Sequence, residues 1–453
     1  MLDPTVTSSD PVAPRLATSD SPSTLGQRVR EARVARGLTQ SELAESRFSK
    51  QYVSQIERDR LRPADETLEW LAERLGVDAQ YLATGVSGRE RERVESAVAR
   101  AEAAVEAHEY GEATGLLDGI AETFLLDSAP DLELRALFAE SWARMYLGEM
   151  QACLPLLARA REIAEQPSFS DVDRAEVLFR LGCCRYKMTS ISTAMALFKE
   201  ALELAERSGI PCDRLRSRIF GWRSRCYRRQ RDWEAAREDV ERALELAEAL
   251  DDRRGTADAY FLGALVAERR GQWLAARSYA ERAKLLYEEV DDRANTGKLL
   301  TTLGGLTFLL GRPDESIPFF KEAFSVALDV GSEADAAQAV SSLAQVHLRT
   351  GRVELAEEQA RHALELLDGR VDFIDEIGNA QLVLGRSLLE QGRLEEAEQR
   401  LRAAEESFDQ LSSASHRAAA WTAQAELAVR RGDTENALRL YQRAVEALQD
   451  FRF

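Results

Sequence analysis

The sequence predicts an all-α protein in which a small module of short helices precedes an α-solenoid of about nine helix pairs. Three observations predict it. Small residues recur every 40 to 42 positions, at Ala113, Cys153, Ala194, Ala236, Ala276, Ser316, Ala356, Ala397 and Ala437. A second small residue stands twelve positions before each anchor, at Ala101, Ser141, Gly182, Ser224, Ala264, Gly304, Ala344, Gly385 and Ala425. A third site, seven positions after each anchor, is alanine in every unit except the first, which has Ile120. A side chain that stays small at fixed phase marks a packing constraint, because two helix backbones approach closely only where neither carries bulk.

Ahead of the array, residues 1–24 hold four prolines, many Ser and Thr and no amphipathic period, the composition of a disordered arm. Short helices then fill residues 25–85. Val29 and Ala32 share one side of a first helix that stops at Gly37. Thr39 caps a second, with Glu42 completing the S/T-x-x-E box. Ser49 caps a third that runs to about Arg58, and Arg62-Pro63 breaks the chain. A fourth opens at Ala64 or Asp65 and buries Leu68, Leu71, Ala72 and Leu75; a short fifth carries Tyr81 and Leu82. After a linker at residues 84–88, the array occupies residues 89–453. Gly-polar turns such as Gly271-Gln272 and Gly311-Arg312 join the helices of a pair, and breaks such as Leu250-Asp251-Asp252 separate the pairs.

On the third helix Val53 and Ile56 face inward with Leu43 and Leu68, which leaves Lys50, Gln51, Tyr52 and Gln55 pointing out. Such side chains read base edges in a major groove: Gln suits adenine, Lys suits guanine acceptors, and Tyr offers a hydroxyl and a face for a thymine methyl. Residues 25–62 carry nine Lys and Arg against five Asp and Glu, in a chain of net charge −18. A basic patch in an acidic chain reads as a module with its own partner.

The stretches Leu38–Ala44 and Ser49–Glu57, with Arg62-Pro63, Thr67-Leu68 and Leu75-Gly76-Val77, resemble the helix-turn-helix of the xenobiotic-response-element (Cro and lambda-repressor-like) family. The resemblance covers residues 25–85 and implies a surface for double-stranded DNA. Gln40 matches the family's phosphate-contacting Gln, Ser49, Lys50, Gln51, Tyr52 and Gln55 occupy the recognition helix and its cap, and Arg47, Arg58 and Arg60 would hold the phosphate backbone. It also implies a buried Arg33–Glu57 salt bridge. The connection from Ala44 to Ser49 is one residue shorter than the family's and lacks its glycine; Phe48 is expected to supply the missing apolar contact.

The small-residue rule of the array, with Tyr110, Ile191, Trp233 and Trp273 three residues before their anchors, resembles tetratricopeptide repeats, though the units are longer than usual. The resemblance implies that the first helix of each pair lines a concave channel for peptides or protein segments. Counting back from the anchors places Phe138, Trp142, Phe179, Tyr186 and Lys187 on that lining, followed by Arg225, Arg228 and Arg229, with Asn379 farther on. Residues 214–231 hold eight arginines. Two readings stand: Glu203, Glu206, Glu238 and Asp239 neutralise them, or Arg225, Arg228 and Arg229 receive a carboxylate or other anion while Trp142, Phe179 and Tyr186 pack its apolar part.

The sequence holds no Gly-rich phosphate loop, no histidine near a candidate nucleophile and no metal spacing, so neither an enzyme nor a cofactor is expected. Five cysteines without a CxxC pair, among four histidines, read as buried thiols. With no apolar run of about 20 residues and no secretory-type start, a cytoplasmic location without a membrane partner is expected. Module and array in this order are similar to the bacterial peptide-responsive regulators of the Rgg and PlcR type. That likeness implies a transcription regulator that senses a signalling peptide, an anionic small ligand or a protein partner. A homodimer is expected through the apolar C-terminal end, where Phe451 and Phe453 follow the last repeat. The alternative is a repeat scaffold whose main role is gripping a protein partner.

Overall fold

The computed structural model describes residues 24–121, 129–370, 373–411 and 414–449. The expected arm, up to residue 23, and Phe451 and Phe453 lie outside them. The described residues form helices and no strand.

The front module has five helices: α1 (Leu25–Ala35), α2 (Gln40–Ala44), α3 (Lys50–Ile56), α4 (Asp65–Leu75) and α5 (Ala79–Thr84). Local chemistry sets their ends. Thr39 and Glu42 form the expected capping box, and Thr24 with Gln27 forms a second one at the start of α1. Ser49 Oγ accepts from the Tyr52 N–H at 3.1 Å. Helix α3 stops at Ile56, two residues before Arg58, with Glu57 as its C-cap. Gly76 closes α4 at φ +64°, a conformation that a Cβ disfavours. Val29, Leu43, Val53, Ile56, Leu71 and Leu82 meet in one core.

The array follows as nine helix pairs. They are α6 (Gly88–Glu106) with α7 (Tyr110–Ala121), α8 (Pro130–Tyr146) with α9 (Met150–Ala164), and α10 (Asp171–Lys187) with α11 (Ile191–Arg207). Next come α12 (Asp213–Gln230) with α13 (Trp233–Ala249), α14 (Arg253–Arg269) with α15 (Trp273–Glu289), and α16 (Arg293–Leu309) with α17 (Pro313–Asp329). The last are α18 (Glu333–Arg349) with α19 (Val353–Leu366), α20 (Ile374–Glu390) with α21 (Leu394–Gln410), and α22 (Ala414–Arg430) with α23 (Thr434–Gln449). Two compact units divide inside the first pair rather than at the linker: Met1–Glu102 with Gly115–Ala136, and Ala103–Thr114 with Leu137–Phe453.

Every position of the small-residue rule is buried, and all anchors but Ala437 have no exposed surface. From α10 to α23 the two helices of each pair pack on one another, and the second helices from α9 to α21 each pack on the first helix of the next pair. First helices also touch one another, as α10 does α12, α12 does α14, and α18 does α20, so they form the inner layer. The side chains that fill the remaining space are large: Phe179, Phe198, Tyr287 and Phe408 are fully buried. Each such ring contributes about 2 to 3 kcal/mol through removal from water. The five cysteines are free thiols, four of them buried.

Candidate functional site: a reading helix and a cationic wall

Helix α3 presents Lys50, Gln51 and Gln55 to solvent while Val53 and Ile56 anchor it in the core. Its far end is fixed by one carboxylate. Glu57 accepts from Arg33 Nε at 2.6 Å, from Arg33 Nη2 at 3.3 Å and from Gln40 Nε2 at 2.8 Å. The salt bridge between the first and third helices is therefore present, and Gln40 belongs to the same network. Its amide braces α2 against α3, a structural task beside the phosphate contact the resemblance implies.

The short connection between α2 and α3 has its own solution. Glu45 takes φ +48°, the left-handed side where a glycine is the usual occupant. Arg74 of α4 offsets this strain by donating to the Glu42 carbonyl at 3.0 Å and pairing with Glu45 at 3.2 Å. Phe48 stacks on Tyr52 at 4.8 Å and meets Trp70 edge-on at 5.2 Å, so it does fill the apolar gap. The consequence is a correction for Tyr52: it is half-buried against Phe48 rather than freely outward. Arg47 is exposed and lies over Phe48 and Trp70, and Ser49, Arg58 and Arg60 are exposed around α3.

In the second unit α12 carries seven of the eight arginines, with Arg231 as its C-cap, and the structure sorts those seven. Arg214 pairs with Asp252 at 3.1 Å, Arg216 with Asp213 at 2.8 Å and Glu206 at 3.8 Å, Arg218 with Glu176 at 3.3 Å, and Arg223 with Asp239 at 2.7 Å. Glu206 and Asp239 thus neutralise as expected, whereas Glu203 and Glu238 form no ion pair with the cluster among the described residues. Arg225, Arg228 and Arg229 have no ion pair among the described residues. The Nε atoms of Arg225 and Arg228 are buried without a hydrogen-bond partner. These three are the arginines that the repeat phase places on the channel side.

Their electrostatics fit a cationic wall. Burial pushes the Arg228 guanidinium down, and Arg225, Arg229 and Arg269 push it further. Enclosure lowers Lys187, an effect that Lys298 and Arg225 reinforce. Tyr186 shows the opposite sign: despite burial, Arg228, Arg229 and Arg225 hold its phenol below the usual value. Arg229 lies 6.0 Å from the Tyr186 ring centroid and Arg225 4.9 Å from that of Trp222.

The aromatic wall is a correction. Phe179 is fully buried, a core side chain rather than a lining one. Arg180 lies over Phe138 at 4.7 Å and Trp142 at 5.1 Å, and Arg218 lies over Trp142 at 5.3 Å and Phe179 at 4.6 Å. Glu176 bonds both guanidiniums, at 2.7 and 3.3 Å. The faces of Phe138 and Phe179 are thus occupied by the protein's own cations, because α8, α10 and α12 lie close enough to share them. Asn379 is half-buried and donates to Asp375 within its own helix at 3.1 Å. Counting back from the anchors missed Trp222, whose ring meets Trp142 at 6.2 Å and Tyr186 at 5.7 Å edge-on. It sits one position beyond the lining phase; the only sequence signal is the adjacent Gly221, which leaves the room.

Comparison with known proteins finds two family matches. A helix-turn-helix family model matches residues 29–82. A tetratricopeptide-repeat model matches residues 215–289, 262–329, 295–369 and 376–450, together more than half of the chain. The immunity repressor protein of Bacillus phage phi105 is 47% identical over 60 residues, which are 13% of this chain and 42% of that protein. The chain therefore spans less than half the length of that relative. Among solved structures, a Rap protein complexed with competence and sporulation factor superposes with a TM-score of 0.60 at 16% identity, covering 80% of this chain and 98% of that one. The apo form of the quorum sensor NprR from B. thuringiensis gives 0.53 at 12% identity, covering 79% and 99%. At such identities these two share the fold. The chain belongs to the tetratricopeptide-repeat proteins and carries a Cro/lambda-repressor-like helix-turn-helix at its front.

Proposed function

We propose that this protein is a sequence-specific DNA-binding transcription regulator whose repeat array senses a peptide, another small ligand or a protein partner. One observation carries the reading: Lys50, Gln51 and Gln55 stand exposed on a capped helix that the Arg33–Glu57–Gln40 network holds rigid. Side chains for base edges are useful only on a preorganised helix, since ordering them at binding costs affinity. Fluorescence anisotropy of the full chain with the DNA upstream of its own coding region, at fixed salt, tests it. Binding no tighter than to scrambled DNA would favour the scaffold reading.

The sensing half rests on the cationic wall. An uncompensated cluster inside a protein of charge −18 is a costly feature unless an anion answers it. The Rap neighbour is complexed with competence and sporulation factor, and NprR is a quorum sensor; a signalling peptide or small anion along α12 fits the same use of the fold. Changing Arg225 and Arg228 to Gln is expected to abolish the effect of an inducing cell extract on DNA affinity while shifting stability by no more than about 1 kcal/mol. A larger loss of stability would mark these arginines as structural.

A homodimer is part of the proposal, since helix-turn-helix proteins commonly read paired half-sites. Helix α23 packs on α22 and exposes Leu438, Tyr441, Val445 and Leu448, a stripe at helical spacing. A chain ending at Asp368 is expected to be monomeric in solution scattering. If it still scatters as a dimer, the contact lies elsewhere. No helix among the described residues is long and apolar enough to cross a membrane, and a regulator of DNA would work in the cytoplasm.

A further inference from the structure

Within the second unit a cavity of about 640 Å³ opens on the inner layer, bounded by α8, α12, α14 and the turn between α6 and α7. Small residues form part of its wall. Gly221, Ala243, Gly255 and Ala259 all line it, and a Cβ on Gly221 would meet only Leu262, at 3.3 Å. The cavity lies within the usual range of about 300 to 1,000 Å³ for small-molecule sites.

Its remaining walls are aromatic and ionic. Tyr110 stacks on Tyr146 at 4.9 Å, and Trp142 meets Trp222 edge-on. A clasp holds the α6–α7 turn in place: His108 Nε2 lies 3.2 Å from Asp292 Oδ1, and Arg254 donates to the Glu106 carbonyl at 2.8 Å.

The decisive feature is what remains after the ion pairs are assigned. Asp252 is paired with Arg214, Asp251 with Arg253, Glu106 with Arg254, and Arg218 with Glu176. Asp258 accepts the hydroxyl of the buried Tyr287. Of the charged side chains on the wall, Arg225 and Asp258 lack an ion pair among the described residues; Asp258 is answered by the Tyr287 hydroxyl, whereas the Nε of Arg225 is buried without a hydrogen-bond partner. The indole of Trp222 beneath it fixes where its fork points. A single free guanidinium beside aromatic faces matches one anionic group joined to a flat apolar body.

We propose that this cavity is a binding site for a small planar molecule bearing one anionic group, of which aromatic carboxylates are the simplest class. The proposal deepens the reading of the array as a sensor and gives it a compact ligand at repeats one to five, distinct from anything extended along Arg228 and Arg229. The carboxylate pairs with Arg225 and the ring lies among Trp142, Tyr146 and Trp222.

Isothermal titration calorimetry of the full chain with 2-naphthoate, and with uncharged 2-naphthamide as control, tests it. One naphthoate per chain is expected, with naphthamide about tenfold weaker, the step that loss of one charge-assisted contact produces. Arg225→Gln should erase that preference. Gly221→Leu, which fills the cavity without touching a charge, should abolish naphthoate binding while the helical melting curve stays intact. Absence of naphthoate binding at millimolar concentration overturns the proposal, and so does binding that survives both substitutions, which would be adventitious adsorption to exposed apolar surface. DNA binding of the unaltered chain, measured in parallel, separates the two readings: naphthoate held through Arg225 by a chain that binds no specific DNA would sink the regulator and leave the site standing.

Discussion

Replacing Lys50, Gln51 and Gln55 together by alanine is expected to weaken binding to the protein's own operator by about 3 kcal/mol, taking about 1 kcal/mol for each base-edge contact at the low end of the usual range. That is more than a hundredfold in affinity. The loss should be confined to specific DNA. Exposed Arg47, Arg58 and Arg60 remain to contact phosphates, so affinity for scrambled DNA should fall little and keep its steep salt dependence. Fold should be unaffected, because the three side chains are exposed and the core contacts of α3 come from Val53 and Ile56. Anisotropy titrations on both DNAs at two salt concentrations decide the matter. A uniform loss on both would show that α3 supplies charge alone; no loss on the operator would remove it from the interface.

The second large effect is expected at Gly182. An added Cβ there would lie 2.5 Å from Phe198 Cε1 and 2.8 Å from its Cδ1, and Phe198 is fully buried. Gly182→Ala should therefore destabilise the array by about 2 kcal/mol, within the range for overpacking a close-packed core. The prediction runs against local propensity, since alanine in a helix interior is favoured over glycine by about 1 kcal/mol. Gly305 of α16 supplies the control: nothing lies within 4 Å of its added Cβ, so Gly305→Ala should be neutral or stabilising by up to about 1 kcal/mol. Urea midpoints of the two variants should move in opposite directions. If Gly182→Ala unfolds at the same midpoint as the natural chain, the small-residue rule reflects something other than close approach.

Much of this protein could be read from its residues. The nine pairs followed from a fixed phase of small side chains, and all those positions are buried. The caps at Thr39 and Ser49 and the inward Val53 and Ile56 were legible because each depends on partners near in sequence or on helical periodicity, whereas the Arg33–Glu57 bridge was expected from the family resemblance. Tyr52 was misread for a local reason: shortening the α2–α3 connection by one residue brought Phe48 onto its ring. Phe138 and Phe179 were misread for a distant one. Their faces are covered by Arg180 and Arg218, and Arg218 approaches Phe179 from a helix in the next repeat.

By itself, then, the sequence determined the helical class, the period, and which positions must stay small, since 3.6-residue periodicity and close helix packing leave a mark on every unit. It could not say which small residue each unit needs. Glycine stands at this phase where the facing residue is large, Phe198 against Gly182, Phe320 against Gly304 and Leu401 against Gly385, a complementarity of volumes that only the packed pair defines. Nor could it separate one arginine of α12 from another. Asp252, Glu176 and Asp239, brought in from other helices, neutralise three of them, while Arg225, Arg228 and Arg229 gain no carboxylate among the described residues. Net charge is a property of the chain; which charge is left unanswered depends on distances of a few ångströms that only the tertiary structure sets.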